Sequence, residues 1–415
     1  MRMKRSKLWT GDFTRITLAT ALSVIGGEAI NIPIGLLVFD ETRSTLLSAL
    51  VMACGFLPDV LVGVVVAPVI DRGRKKRWIV AMDAALLAVY LLMAAATRNG
   101  SFRYGLYVAF SLITATVSVL SRLAYDAWYP DLIPEGCEQK GYAVSAMLYP
   151  AITIAMSPLA AWLYTLLPMH GIFLGVAGLL ALSIAIESGI SKDRRPVGAG
   201  GYSLAQWRED CAEGFRFIRR EKGIRNIYAY MGFAQGAGEG MAILTRAFFQ
   251  TSPILTVTML GFMQSAEMVG RVLGGLLQYR VEVSPRRRYG VTRFVYVFYQ
   301  LMDMALLFMP YGAMLVNRMI CGGLGTVSAT LRSTAVQSYL PGEMRARVNA
   351  VFDTVFALGS ILFQLLAGAL GQAVSHRGGA VILSAVVLLA AVAFIIVPAK
   401  QNRPVYEAVR TSDEG

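Results

Sequence analysis

The stretch from Leu46 to Trp78 constrains this chain more than any other. It opens with about 25 mostly apolar residues, enough to carry a helix across the hydrocarbon of a bilayer. One carboxylate, Asp59, interrupts that run directly after Pro58. The run ends at Asp71-Arg72-Gly73-Arg74-Lys75-Lys76-Arg77, and a second apolar run starts at Trp78. A tight basic turn between two spans is hard to pull across a membrane, so this turn is expected to face the cytoplasm. Its placement sets the expected sidedness of every other span.

The same length criterion predicts twelve spans. Six lie in the first half: Ile16–Phe39, Leu46–Ile70, Trp78–Ala96, Tyr104–Leu123, Tyr142–Leu166 and Ile172–Ile190. Six lie in the second: Ile227–Phe249, Ile254–Leu277, Phe294–Met309, Tyr311–Val336, Val348–Val374 and Ala380–Val397. Only Pro310 and its neighbours separate the ninth from the tenth. Composition agrees, since 56% of the residues are hydrophobic and 16% are charged, where a soluble protein carries nearer a quarter charged. The expected fold is an all-α polytopic membrane protein, with 12 transmembrane helices in two six-helix pseudo-repeats.

A net charge of +13 would suit a nucleic-acid partner, but its placement argues against one. Most Lys and Arg fall on alternate connections or at the two ends, the positive-inside pattern. The inside set comprises the N-terminus, the Asp71–Arg77 turn, the middle segment, Arg286-Arg287-Arg288, and a tail with Lys400, Arg403 and Arg410. Outside loops hold little beyond Arg43, Arg98, Arg103 and Arg377. Both termini are therefore expected in the cytoplasm, with inside basic residues meeting anionic lipid head groups.

Other classes find little support. The four cysteines (Cys54, Cys137, Cys211, Cys321) are scattered without a CxxC, so neither a metal site nor a disulfide framework is indicated. His170 and His376 lie in short outside loops, which leaves proton chemistry within the membrane to carboxylates. There is no GxxxxGK[ST] loop, no HExxH and no nucleophile–base pair, so an ATP-driven pump or a membrane enzyme is disfavoured. No cofactor is expected. The first apolar run is a full span with no small-residue cleavage site, so no cleavable signal peptide is read there.

The expected organisation is an N-terminal bundle over 1–190, a linker over 191–225, a C-terminal bundle over 226–399 and a tail over 400–415. The linker opens with Gly198-Ala199-Gly200-Gly201. An amphipathic stretch follows, with Trp207, Phe215, Phe217 and Ile218 among Arg208, Arg216, Arg219 and Arg220. Such a helix lies along a membrane surface or serves as a soluble connector. The halves also echo each other. Glu28 finds Glu239, Asp59 finds Glu267, Pro134-Glu135 finds Pro341-Gly342-Glu343, and Met82-Asp83-Ala84 finds Met302-Asp303-Met304. Paired repeats of this kind place a central site between them.

Several motifs resemble the major facilitator superfamily, and within it the bacterial branch of macrolide exporters and the enterobactin exporter. They are Ile32-Pro33-Ile34-Gly35-Leu36-Leu37-Val38-Phe39; Leu57-Pro58 followed by the Asp71–Arg77 turn; Ala124 to Pro134; Trp207 with Glu213-Gly214-Phe215-Arg216-Phe217; and Leu340-Pro341-Gly342-Glu343-Met344-Arg345-Ala346-Arg347-Val348. Two positions depart from the pattern: Ala67 replaces a glycine before the turn, and the fifth-span antiporter signature reads Ser157-Pro158-Leu159-Ala160-Ala161-Trp162. The resemblance implies a bacterial inner-membrane transporter in which the Asp71 turn, with Arg72, Arg74 and Lys75, latches the two halves on the cytoplasmic side; Asp353 is a further candidate for that gate.

A carboxylate at mid-membrane depth costs about 2.5–3.5 kcal/mol on insertion scales, so it faces a cavity or a partner. Candidates for the cavity or for proton coupling are Glu28, Asn31, Asp59, Glu239, Glu267, Asp303 and Arg318. Gly26, Gly27 and the Asn31-Ile32-Pro33 break let backbone bend or approach a ligand near Glu28. Arg271 lies one turn from Glu267, where an i,i+4 ion pair would make that acid structural. Arg318 either pairs with one of these acids or meets an anionic substrate. Asp83 is a weaker candidate, nearer the cytoplasmic end of its span. The leading expectation is a monomeric secondary exporter of amphiphilic small molecules, drug- or siderophore-like, driven by protons through alternating access. The alternatives are uptake or lipid flipping on the same fold, or a transport-inactive sensor or scaffold.

Overall fold

The computed structural model describes residues 8–58, 74–134, 137–191, 204–281, 283–341 and 344–408. Asp59, Asp71, Arg72, the Gly198–Gly201 linker and the tail beyond Ala408 lie outside the described residues. Regular structure among the described residues is helical: α1 Gly11–Thr42, α2 Thr45–Cys54, α3 Lys75–Ala96, α4 Tyr104–Leu132, α5 Glu138–Leu166, α6 Met169–Ser188, α7 Leu204–Arg220, α8 Lys222–Thr251, α9 Val257–Arg280, α10 Pro285–Leu306, α11 Tyr311–Tyr339, α12 Arg345–Ala373, α13 His376–Ala390 and α14 Ala399–Glu407. A π-helical turn, Ala391–Ile396, extends α13.

Among the described residues each expected span carries a helix, the second only over Thr45–Cys54, since the rest of that span from residue 59 lies outside them. Pro310 caps the start of α11, so the ninth and tenth spans are two helices and not one bent one. Seven helices among the described residues are long and apolar enough by themselves to cross a bilayer. The long helices α8, α9, α10 and α11 are not among those seven, and they are the helices that carry Glu239, Arg246, Glu267, Arg271, Asp303 and Arg318. Charged side chains within these helices lower their mean hydropathy.

Two compact units make up the chain, one comprising Met1–Glu41 with Leu57–Ser203, the other Thr42–Phe56 with Leu204–Gly415. In the first, α1 runs unbroken through Asn31-Ile32-Pro33. The expected break at this triplet is therefore absent, since a spanning helix tolerates an internal proline when neighbouring groups satisfy the released carbonyl. Helix α3 packs against α4 and α6. One end of this unit is closed by a cluster with Phe13, Ile16, Ile79, Trp128, Leu132 and Ile190 at its centre. There Lys76 Nζ donates to the carbonyls of Ser188 at 2.8 Å and Ile190 at 2.7 Å, and Arg15 Nη1 donates to that of Gly189 at 2.5 Å. Cations on the last carbonyls of a helix satisfy both their lone pairs and the helix dipole.

The second unit is built on closely crossing helices, α8 with α12 and α9 with α11. Small residues permit this proximity: a Cβ added at Gly322 would overlap the carbonyl of Glu267, and one at Gly270 that of Met319. Backbone contact of this kind is how helices associate where lipid is as apolar as the side chains. Helix α7 packs on α12 with Ile218 buried and Phe215 exposed. The π-turn leaves carbonyls without helical partners. Asn402 of α14 donates to the carbonyl of Phe394 at 2.7 Å, and the Tyr289 hydroxyl donates to that of Ile395 at 2.6 Å. Outward positions of the spans stay apolar, as at Leu92, Leu362 and Leu389.

Helix α2 also packs on α12, where Thr45 Oγ1 donates to the Gly368 carbonyl at 2.7 Å and Gln372 bonds Ser44. Replacing Thr45 with valine keeps the shape and removes that bond. A loss of about 0.6–1.5 kcal/mol is expected in detergent-solubilised thermal unfolding; an unchanged transition would mean that apolar packing alone seats α2.

Candidate functional site

Glu28 lies midway along α1, half-buried, with Thr153 Oγ1 of α5 at 3.5 Å from its Oε1 and the Tyr149 hydroxyl also in reach. These groups are hydroxyls, so the carboxyl can change protonation without breaking a salt bridge. Asn31, one turn further along, is exposed, and i,i+3 spacing puts it on the same side of α1.

Beside this stretch, residues of α1, α3, α4 and α6 line a half-open cavity of about 410 Å³; the lining includes Gly26, Gly27, Asp83, Tyr90, Tyr125 and Glu187. Asp83 and Glu187 are 6% and 4% exposed, and their carboxyl groups meet within hydrogen-bonding reach. Sequence reasoning gave Asp83 little weight and did not single out Glu187. A carboxylate in the last turn of an otherwise apolar span was the available signal; its partner lies on another helix.

In the second unit, two ion pairs involve charged residues of α9, α10 and α11. Arg271 Nη2 lies 2.8 Å from Glu267 Oε1, the i,i+4 pair expected from spacing. Arg318 pairs with Asp303, so of the two readings for this buried cation the acid partner is the one found. Asn317 Oδ1 accepts from Arg318 Nε at 3.2 Å and from its Nη2 at 3.0 Å, which fixes the guanidinium plane. The Arg318 guanidinium also sits 5.9 Å from the centre of the Tyr299 ring, within cation–π range.

These pairs belong to a larger group. Glu239 is in electrostatic contact with Arg246, Arg271 and Glu267, and Glu267 in turn with Asp303 and Arg318. Three acids thus balance three arginines, so the cluster needs no outside counterion at membrane depth. Arg246, which the sequence reading passed over, contacts Met52 Sδ of α2 at 3.7 Å. The packing glycines of α8 include Gly236, tight against α12 at Gly359, whereas a Cβ at Gly238, next to Glu239, would meet nothing within 4 Å. Of the expected gate residues within the described residues, Arg74 caps α3, Lys75 begins it, and Asp353 is exposed on α12.

Long apolar helices, with acids and arginines buried among them, define a multi-pass membrane protein. A sequence profile of the Major Facilitator Superfamily matches residues 16–304, and the chain belongs to that family. Solved structures agree in fold. The nucleoside transporter NupG superposes with a TM-score of 0.69 at 15% identity, over 92% of this chain and 98% of that one. A POT family transporter in complex with 5-aminolevulinic acid gives 0.66 at 11% identity, over 94% and 96%. A bacterial homologue of the human lysosomal transporter Spinster, inward-facing and unoccupied, gives 0.63 at 12% identity, over 96% and 98%. No curated protein matches the chain significantly in sequence.

Proposed function

We propose that this protein is a proton-coupled secondary exporter of amphiphilic small molecules, working as a monomer in a bacterial inner membrane with both termini in the cytoplasm. Two six-helix halves, over 1–190 and 226–399, would rock around a midplane cavity. Glu28 and Glu239 would be the principal proton carriers, with Asn31, Asp59, Glu267, Asp303 and Arg318 shaping the passage. Asp71, Arg72, Arg74, Lys75 and Asp353 would form the cytoplasmic latch. The resemblance of its motifs to those of macrolide and enterobactin exporters is what supports outward transport over uptake or lipid flipping.

The observation that carries this reading is Glu28, a mid-span acid whose contacts on α5 are hydroxyls and not cations. Such an acid exchanges protons with whichever side its cavity opens toward. One proton falling through 100 mV supplies about 2.3 kcal/mol, enough for a roughly fiftyfold gradient.

The test is efflux of a dye and drug panel from cells expressing the protein, with and without a proton uncoupler. Uncoupler is expected to abolish efflux, and Glu28→Gln to slow it about tenfold or more, by analogy with loss of a general acid–base group. Efflux that persists unchanged under the uncoupler would overturn proton coupling while leaving export intact.

A further inference from the structure

Asp83 and Glu187 are the most deeply buried carboxyl pair among the described residues of the first unit. They come from facing helices, α3 and α6, and border the same 410 Å³ cavity. Two carboxyl groups in hydrogen-bonding reach make that bond only when one of them holds a proton, because a carboxylate is an acceptor alone. Among the described residues the ionisable groups in electrostatic contact with the pair are the Tyr90 hydroxyl from α3 and the Tyr125 hydroxyl from α4. The cations that reach this end of α6, Lys76 of α3 and Arg15 of α1, are bonded to the carbonyls of Ser188, Gly189 and Ile190 just past Glu187. Arg122, also on α4, is exposed and reaches the cavity at its edge. On α1 the lining side chains beside the glycines include Thr20 and Ser23, neither ionisable. Glu187 Oε2 is fully buried and finds no donor among the described residues. The pair is therefore built to hold a proton and one position short of donors.

We propose that Asp83 and Glu187 form a proton-binding pair that shares one proton while the two groups are buried against the cavity wall and releases it when water reaches them. Release leaves two like charges in contact, a state that only a wet cavity can solvate. Proton occupancy and cavity hydration are thereby linked, and the first unit gains a coupling site distinct from Glu28. The inference rests on the transporter reading for its purpose, but its test does not require a known cargo.

The measurement is an infrared pH titration of the full-length protein in nanodiscs, following the C=O stretch of protonated carboxyl groups. Wild type is expected to show a band that Glu187→Gln and Asp83→Asn each abolish, because the new amide donates to the remaining carboxylate and takes over the role of the shared proton. A band that survives in both variants with its midpoint moved by less than about one pH unit overturns the proposal. If Glu187→Gln does not fold, Asp83→Asn alone decides by the same readout. Loss of the band alongside uncoupler-insensitive efflux would leave the proton pair standing and remove its part in coupling.

Discussion

Replacing Arg318 with methionine is expected to destabilise the protein by roughly 3–5 kcal/mol, the largest single loss among the polar sites. Methionine fills similar volume, so the cost comes from electrostatics and not from a cavity. Asp303, 5% exposed, would lose its ion-pair partner, and Asn317 Oδ1 would lose a donor it meets at two guanidinium nitrogens. A buried carboxylate without its countercharge is far costlier than the pair was beneficial. The double variant Arg318→Met with Asp303→Leu is therefore expected to recover most of the loss, while Arg318→Lys falls between, having charge without the planar fork. Thermal unfolding in detergent reads all three. If Arg318→Met melts with wild type, Asp303 has another source of compensation and the balanced cluster is not what holds these helices.

The second large effect is expected at the crossing of α9 and α11. Gly270→Val places methyl groups where the Met319 carbonyl already stands. A backbone carbonyl within a helix cannot rotate aside, so the helices must separate along their length. A loss of about 3 kcal/mol or more is expected, read as a lower melting temperature and a smaller monodisperse peak in size-exclusion chromatography. Gly275→Ala on the same helix is the contrast, because a Cβ there meets nothing within 4 Å. That change is expected to be neutral or stabilising by about 0.4–1 kcal/mol. The crossing also bears on function, since it brings Glu267 of α9 into electrostatic contact with Arg318 of α11. A wider crossing would weaken the charge group from within, and substrate transport would fall along with stability.

How far the sequence reached depended on how local each interaction is. The Glu267–Arg271 pair was readable because i,i+4 spacing alone brings the two side chains together. For Arg318 the sequence showed a buried cation, and burial demands compensation, yet two kinds of partner satisfied that demand equally. Choosing Asp303 required α10 and α11 to be laid side by side. The repeat between Asp83 and Asp303 was visible in sequence, and both acids are buried. Their partners differ in kind, an acid on α6 for one and an arginine on α11 for the other. Repetition carried the position of the acid forward and not its chemistry. Asn31-Ile32-Pro33 misled for a related reason: proline's local preference against a helix interior was outweighed by the need of a spanning segment to satisfy its backbone internally.

By itself the sequence determined the membrane, the helical class and the superfamily, because a bilayer imposes its constraints one segment at a time. A run of about twenty apolar residues crosses hydrocarbon whatever its neighbours do. Only the tertiary structure decided which intramembrane charges neutralise one another, where α9 and α11 touch through glycine, and that Asp83 and Glu187 share a cavity wall. Those outcomes depend on distances between helices far apart along the chain, and in a low-dielectric interior a few ångströms decide whether a charge is paired or stranded.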